Sequence, residues 1–446
     1  MKTIEKAATK SRVKTKHADS PSTNFVLSEL VEGFVPLSTV VTLNPRKFTS
    51  PITDDDVVSF VPMKFVEEET GNLDATTERS WFEVKKGYTA FQDNDVIFAK
   101  ITPCMENGKF AIARGLKGGR AAGSTEFHVL RPNEKLAPHY LMHFLFQHHI
   151  RQDARMNMRG AAGQLRVPTD FFASLKIPLP PLPTQHRIVA EIEEKLSRLD
   201  AAQSALLRAQ ANLKRYRDLT VLEAVTGGRE SLNKAWNPDD SPALPKGWRW
   251  TPIATIASLT GGLAKSANRK TVAPRRLVPY LRVANVQRGY LDLKEIKEIE
   301  ATEAEIKDLQ LEQDDVLFNE GGDRDKLGRG WLWESQIPEA IHQNHVFRAR
   351  ADRKQVLPLF LSFCGNSYGA AWFWHHGKQT TNLASISLKV LRAFPVSLPP
   401  LETQQQIVTE LERRLSVIDR TEQTLRTQLA RAKRLRQSIL QQAFSP

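Results

Sequence analysis

Two long polar stretches of the chain carry a seven-residue pattern. The first runs through Ile192, Leu199, Leu206, Leu213 and Thr220, interleaved with Leu196, Gln203, Gln210 and Arg217. The second runs through Leu411, Ile418, Leu425, Ala432 and Ile439, interleaved with Leu415, Glu422, Leu429 and Arg436. A heptad stripe with polar interruptions predicts coiled-coil helices in which buried polar residues fix the register. The first stretch, Thr184 to Val225, would extend roughly 63 Å at about 1.5 Å per residue. A helix of that length gains little stability alone. Two matched seams on one chain therefore predict that the helices pack on each other antiparallel, relating the two halves by a pseudo-twofold axis. Parallel packing, or pairing with another protein, is the competing arrangement.

Outside these stretches the pattern changes to short apolar runs bounded by turn residues, which predict buried strands. Asp95-Val96-Ile97-Phe98 returns as Asp315-Val316-Leu317-Phe318, and Phe34-Val35-Pro36-Leu37-Ser38-Thr39-Val40 returns as Trp250-Thr251-Pro252-Ile253-Ala254-Thr255-Ile256. Pro138-His139-Tyr140-Leu141 and Pro358-Leu359-Phe360-Leu361 read as helix starts, proline being tolerated in the first turn. Tyr280 to Val286 has no convincing counterpart in the first half, where Phe60 to Lys64 stands nearest. The expected fold class is mixed α/β (α+β): two similar globular blocks, each followed by a long helix. Each helix is announced by one recurring motif, Leu179-Pro180-Pro181-Leu182-Pro183-Thr184-Gln185 and Leu398-Pro399-Pro400-Leu401-Glu402-Thr403-Gln404. Pro178, Pro180, Pro181 and Pro183 also admit a polyproline-ligand reading. Recurrence of the Pro-Pro pair before Thr403 favours a rigid turn feeding a helix.

At 446 residues the chain fits two domains with connectors. A basic disordered tail is expected over 1–24, blocks over 25–183 and 244–402, helices over 184–227 and 403–446, and a linker over 228–243. The linker follows the Gly227-Gly228 helix stop. No apolar run long enough for a membrane span and no signal-peptide core is present, which predicts a soluble cytoplasmic protein. Cys104 and Cys364 are the two cysteines and stand at unrelated positions, leaving no disulfide framework. A formal charge of +13, spread over the chain, points to an anionic partner, with nucleic acid first and a merely basic soluble protein as the bland reading.

Catalytic motifs are missing where they would be needed. Asn237-Pro238-Asp239 lacks the second proline and the aromatic that hold a flipped adenine. Gly261-Gly262-Leu263-Ala264-Lys265-Ser266 has the wrong spacing for a phosphate-binding loop. Glu295-Ile296-Lys297 has a nuclease-like form without a well-placed acidic partner. His139 and His143 would share a helix face, but Leu359 and Phe363 replace them in the second copy, so a packing role is expected rather than zinc. No catalytic, cofactor-binding or metal site is assigned to the chain.

The duplicated Leu-Pro-Pro-Leu, Thr-Gln and Ile-Val motif with its heptad helix resembles the specificity (S) subunit of type I restriction-modification systems. The Leu244-Pro245-Lys246-Gly247-Trp248 opening and Leu281-Arg282-Val283-Ala284-Asn285-Val286 are similar to the second recognition domain of that family. The first half lacks both. The resemblance implies two target-recognition domains separated by helical spacers, together reading an asymmetric bipartite double-stranded DNA target. It also implies two methyltransferase (M) subunits and restriction/translocase (R) subunits as partners, with S-adenosylmethionine, ATP and Mg2+ bound by those partners. The competing reading is a coiled-coil adaptor that binds nucleic acid without sequence preference. Guanine is read by Arg or Lys, adenine by Asn or Gln, and phosphates by many further contacts. The candidate DNA-binding residues are therefore Lys109, Arg114, Lys117, Arg120, Arg155, Arg159, Gln164 and Arg166 in the first half. In the second they are Lys265, Arg269, Arg282, Asn285, Gln287, Arg288, Arg324, Lys326, Arg329, Lys378, Gln379 and Asn382.

Overall fold

The computed structural model describes residues 33–161, 163–228, 243–264, 273–379 and 384–444. The expected basic tail, most of the linker, and Lys265, Arg269 and Asn382 lie outside the described residues. The chain divides into two compact units, Met1–Ser204 with Leu429–Pro446, and Ala205–Gln428.

In the first unit Phe34–Pro36 pairs antiparallel with Lys176–Pro178, joining the beginning of the block to the residues just before the proline turn. One four-stranded sheet has the order Val41–Leu43, Phe127–Pro132, Val96–Ala99, Phe110–Ile112. Val96–Ala99 is buried at all four positions, so it reads as a continuous apolar run instead of an alternating one. A second sheet has the order Glu78–Ser80, Val57–Val61, Arg120–Gly123, Thr89–Gln92, with Val57–Val61 parallel to Arg120–Gly123. The helix Pro138–Leu145 places Tyr140, Leu141 and Phe144 in one core with Phe98, Phe110 and Phe172. Phe98 and Phe110 stack with ring centroids 3.8 Å apart.

The second unit repeats this frame. Arg249–Pro252 pairs with Pro395–Leu398, and a four-stranded sheet has the order Ala257–Thr260, Val346–Ala351, Val316–Asn319, Gly330–Leu332. In a second sheet Arg275–Leu281 lies between Lys297–Thr302 and Ile341–His342, parallel to the latter. Tyr280-Leu281 thus stands where Phe60-Val61 stands in the first unit. The sequence offered Phe60 to Lys64 as the nearest stretch without a convincing match, because between Val57–Val61 and Leu277–Leu281 only Val58 and Val278 are identical. The recurring Asp-Val motif has a local explanation. Asp95 and Asp315 are both buried. Their carboxylates accept from the Gln92 and Glu312 backbone N–H at 2.8 and 2.7 Å. Each also receives a guanidinium, from Arg131 and Arg350 respectively.

The long helices span Leu182–Thr226 and Leu401–Phe444, of 45 and 44 residues. Pro178 ends a strand and Pro183 occupies the first helical turn, where its missing N–H costs nothing. In the first unit Ile188, Ile192, Leu196 and Leu199 pack with Ala432, Ile439, Leu440 and Ala443, and Phe444 meets Tyr140 and Phe144. Arg436 bonds Asp200 there. In the second unit Arg217 bonds Asp419, with Glu422 at 3.6 Å, while the Val225 carbonyl oxygen accepts from Ser397 Oγ. Asp200 of the first helix meets Arg436 of the second, and Arg217 meets Asp419, so the helices pack antiparallel. The heptad positions are the covered ones: Ile192, Leu196 and Leu199 are buried, Gln203, Leu206, Gln210, Leu213 and Arg217 half-buried, and Thr220 buried. Arg217 and Arg436 occupy one repeat position, and Asp419 and Asp200 another. The two ion pairs are one contact made with the copies exchanged.

Candidate nucleic-acid interface

Each block carries a small hairpin beside the end of its central strand. In the first unit Ile101 bridges Arg166 and Arg166 bridges Arg159, all antiparallel. The Arg159 and Arg166 backbones exchange hydrogen bonds of 2.9 Å in both directions, and the Val167 N–H donates to the Lys100 carbonyl oxygen at 2.9 Å. Gly160 and Gly163 turn the tip at φ values of +134° and +82°, which an L side chain rarely adopts. In the second unit Gly321–Gly322 pairs with Ala384–Ser385, which pairs with Lys378–Gln379, and the Ile386 N–H donates to the Glu320 carbonyl oxygen at 2.8 Å. The two hairpins have the same connections and different side chains.

Many of the nominated polar residues serve the fold. Asn285 is buried: its Oδ1 accepts from the Arg282 N–H at 2.9 Å, and its Nδ2 donates to the Asp292 and Glu295 carbonyl oxygens at 2.9 Å. Both amide hydrogens are used and the side chain is buried, so it presents no donor–acceptor pair to a base. Gln287 donates to the Ala284 carbonyl oxygen and Arg288 to that of Asn366. Lys109 and Arg329 stand at equivalent positions and both reach back to main-chain carbonyls, of Val66 and Val283. Arg120 donates to Ser50 Oγ and the Pro51 carbonyl oxygen. Arg282 and Lys297 share the Glu295 carboxylate at 3.3 and 3.7 Å, so the Glu-x-Lys triplet is an ion-pair cluster. Lys117 pairs with Glu78 at 3.1 Å and Lys326 with Asp323. Lys326 holds the Asp323 carboxyl below its ordinary range, first through the hydrogen bond and then through its charge.

The remaining candidates are exposed or half-buried. Arg155, Gln164 and Lys378 are exposed, and their side chains make no hydrogen bond or ion pair among the described residues; the same holds for Arg114. Arg159 pairs with Asp170 at 3.0 Å with both side chains mostly in solvent, the kind of pair that contributes little and exchanges easily for a phosphate. Arg166 grips Glu126 with two bonds of 2.8 Å, which keeps that carboxyl below its ordinary range. In the second unit Arg324 donates to Gln379 Oε1 at 2.9 Å and lies over the Trp374 ring, 4.6 Å from its centroid. Trp374 is half exposed and was not nominated from the sequence. A tryptophan in an apolar helix carries no signal of facing outward until the helix is docked.

His143 is buried with Nε2 3.6 Å from Glu193 Oε1, and the neighbouring His139 imidazole is held below its ordinary pKa by burial first and Arg114 second. Among the described residues no group of three or more His, Cys, Asp or Glu is placed to hold a metal.

Residues 36–214 and 245–431 match the model of the type I restriction modification DNA specificity domain. The chain belongs to the type I restriction-modification DNA specificity family. Each matched stretch takes in one block and most of the helix that follows it, so the family's unit is the repeat described above. The chain is similar to the type I restriction enzyme EcoEI specificity subunit of Escherichia coli, 26% identical over 484 residues covering 90% of this chain and 80% of that protein. It is also similar to the EcoKI specificity subunit of Escherichia coli strain K12, 27% identical over 320 residues covering 71% of this chain and 67% of that one. Among solved structures it shares its fold with the HsdS subunit from Thermoanaerobacter tengcongensis. That likeness has a TM-score of 0.55 at 20% identity and covers 92% and 96% of the two chains. A chain from a structure of complex assembly and conformational transition in a type I R-M system gives a TM-score of 0.70 at 20% identity, covering 92% and 97%. A family defined by DNA specificity accounts for two copies of one frame whose exposed hairpin residues differ.

Proposed function

We propose that this type I specificity chain reads an asymmetric bipartite DNA target, one half with each block. In this reading it holds two adenine methyltransferase subunits on that target, and restriction/translocase subunits join the same assembly. The chain is then non-catalytic and works in the cytoplasm; S-adenosylmethionine, ATP and Mg2+ belong to the partners. The observation that carries the reading is the pair of hairpins with one set of connections and two sets of side chains. A two-stranded ribbon fits the major groove, where each base pair presents its own donor and acceptor pattern. Gln164 suits an adenine edge, Lys378 a guanine, and Gln379 an adenine once Arg324 turns to a phosphate. Arg114, Arg155 and Arg159 suit phosphates. Asn382, Lys265 and Arg269, outside the described residues, belong to the same proposal. Asn285 does not, its amide being buried with both its hydrogens given to main-chain carbonyls.

Methylated adenines mapped across the host genome, with and without this gene, test the reading. The expected result is one split motif that vanishes with the gene. Gln164→Ala should relax only the half read by the first block and Lys378→Ala only the other, each by about 1–3 kcal/mol at one position. Binding that discriminates no sequence and simply fades with salt would instead mark a non-specific adaptor.

A further inference from the structure

The Thr-Gln of the motif that opens each long helix has no role in reading DNA, yet its glutamine is wholly buried in both copies: Gln185 and Gln404 are 0% exposed. Gln185 Oε1 accepts from the Ala137 N–H at 2.8 Å, and its Nε2 donates to the Lys135 and Pro180 carbonyl oxygens at 2.8 Å. Gln404 Oε1 accepts from the Leu357 N–H at 2.8 Å, and its Nε2 donates to the Gln355 and Pro399 carbonyl oxygens at 2.9 Å. One amide thus joins three pieces of main chain: the proline turn, the first turn of the long helix, and the residues that cap the block's own helix, Pro138–Leu145 or Pro358–Asn366.

We propose that Gln185 and Gln404 are positioning residues that set how sharply the protein discriminates the spacing between half-sites. The inference rests on the bipartite reading above. Apolar contacts such as those of Ile188, Val189 and Ile192 already hold the first helix to its block. They are non-directional and tolerate rotation. The three bonds are directional and fix the angle at which the block leaves the helix. For a domain of about 150 residues the far side lies roughly 38 Å from such a joint. A swing of about 5° there carries a base-reading loop about 3.4 Å, one base-pair rise. A joint loose by that much would accept the neighbouring spacing.

The test uses the full chain in complex with its methyltransferase subunits and duplexes carrying the mapped half-sites at the natural spacing, one base pair shorter and one longer. Gln185→Met and Gln404→Met keep length and volume and remove the amide. In each, the preference for the natural spacing should fall about tenfold, while the preference for the natural half-sites over random sequence, measured at the natural spacing, stays within about twofold. Melting and circular dichroism accompany both variants. Equal loss of affinity at all three spacings, or a change in half-site preference, would overturn the proposal. So would failure of both variants to fold, which would make the amide a folding device. A wild-type complex indifferent to spacing would instead remove the bipartite reading on which the proposal rests.

Discussion

His342 is wholly buried in the second unit, and its Nδ1–H donates to the Val346 carbonyl oxygen at 2.6 Å. Burial holds its pKa down to about 4, from an ordinary 6.5, with Arg348 adding to the effect and the Val346 bond opposing it. The folded state therefore keeps the ring neutral while the unfolded chain takes up a proton. This contribution is fully present above pH 6.5 and is lost as pH falls towards 4, reaching about 3 kcal/mol at the low end. Urea unfolding followed from about pH 7 to about pH 4.5 should show a flatter decline for His342→Asn than for the native chain; parallel declines would refute the assignment. Residue identity alone did not separate such structural groups from readers. Asn285 and Gln164 are equally good adenine partners on paper. Only the loop that wraps Asn285 decides that its amide is buried and has no donor to spare.

The helices were the most legible elements, because a coiled-coil seam writes its period directly into the sequence. Their charged seam residues are a weaker glue than their conspicuous pairing suggests. Arg217 and Asp419 remain partly in solvent, so a double-mutant cycle with Arg217→Ala and Asp419→Ala should give a coupling under about 1 kcal/mol. Ile192 is fully buried in the core that the helix shares with its block, and Ile192→Ala should cost about 2–5 kcal/mol. Urea titration of the four variants ranks the two effects, and a larger ion-pair term would show that charge drives the packing. The exchanged pairs Arg217–Asp419 and Arg436–Asp200 then act chiefly on register. Strands were less legible. Val96–Ala99 and Val316–Asn319 stood out because all four residues of each are buried. Val57–Val61 and Arg275–Leu281 did not, since Ser59 and Pro279 interrupt their apolar runs.

On the proposed reading, across the whole molecule the +13 charge sets affinity for DNA and the hairpins set its selectivity. The two contributions separate experimentally: Arg114→Ala with Arg155→Ala should weaken binding alike on specific and random duplexes. It should also lower the slope of log affinity against log salt by roughly 1 to 2. A change in the recognised sequence would place one of these arginines at a base edge instead. The sequence by itself determined that the chain is a duplication, that each copy is a mixed α/β block followed by a heptad helix, and that the helices hold a matched seam. Periodicity, proline turns and recurrence are properties of the chain in one dimension. The tertiary structure decided which polar residues are free to meet a partner. Whether an arginine ends in solvent, on a carbonyl or on a carboxylate depends on segments far apart in sequence, as with Arg166 on Glu126 and Arg324 on Trp374. It also gave the glutamine of the recurring motif its work, since the Lys135 carbonyl and Ala137 amide, some 50 residues away, meet it only when the block folds against its helix.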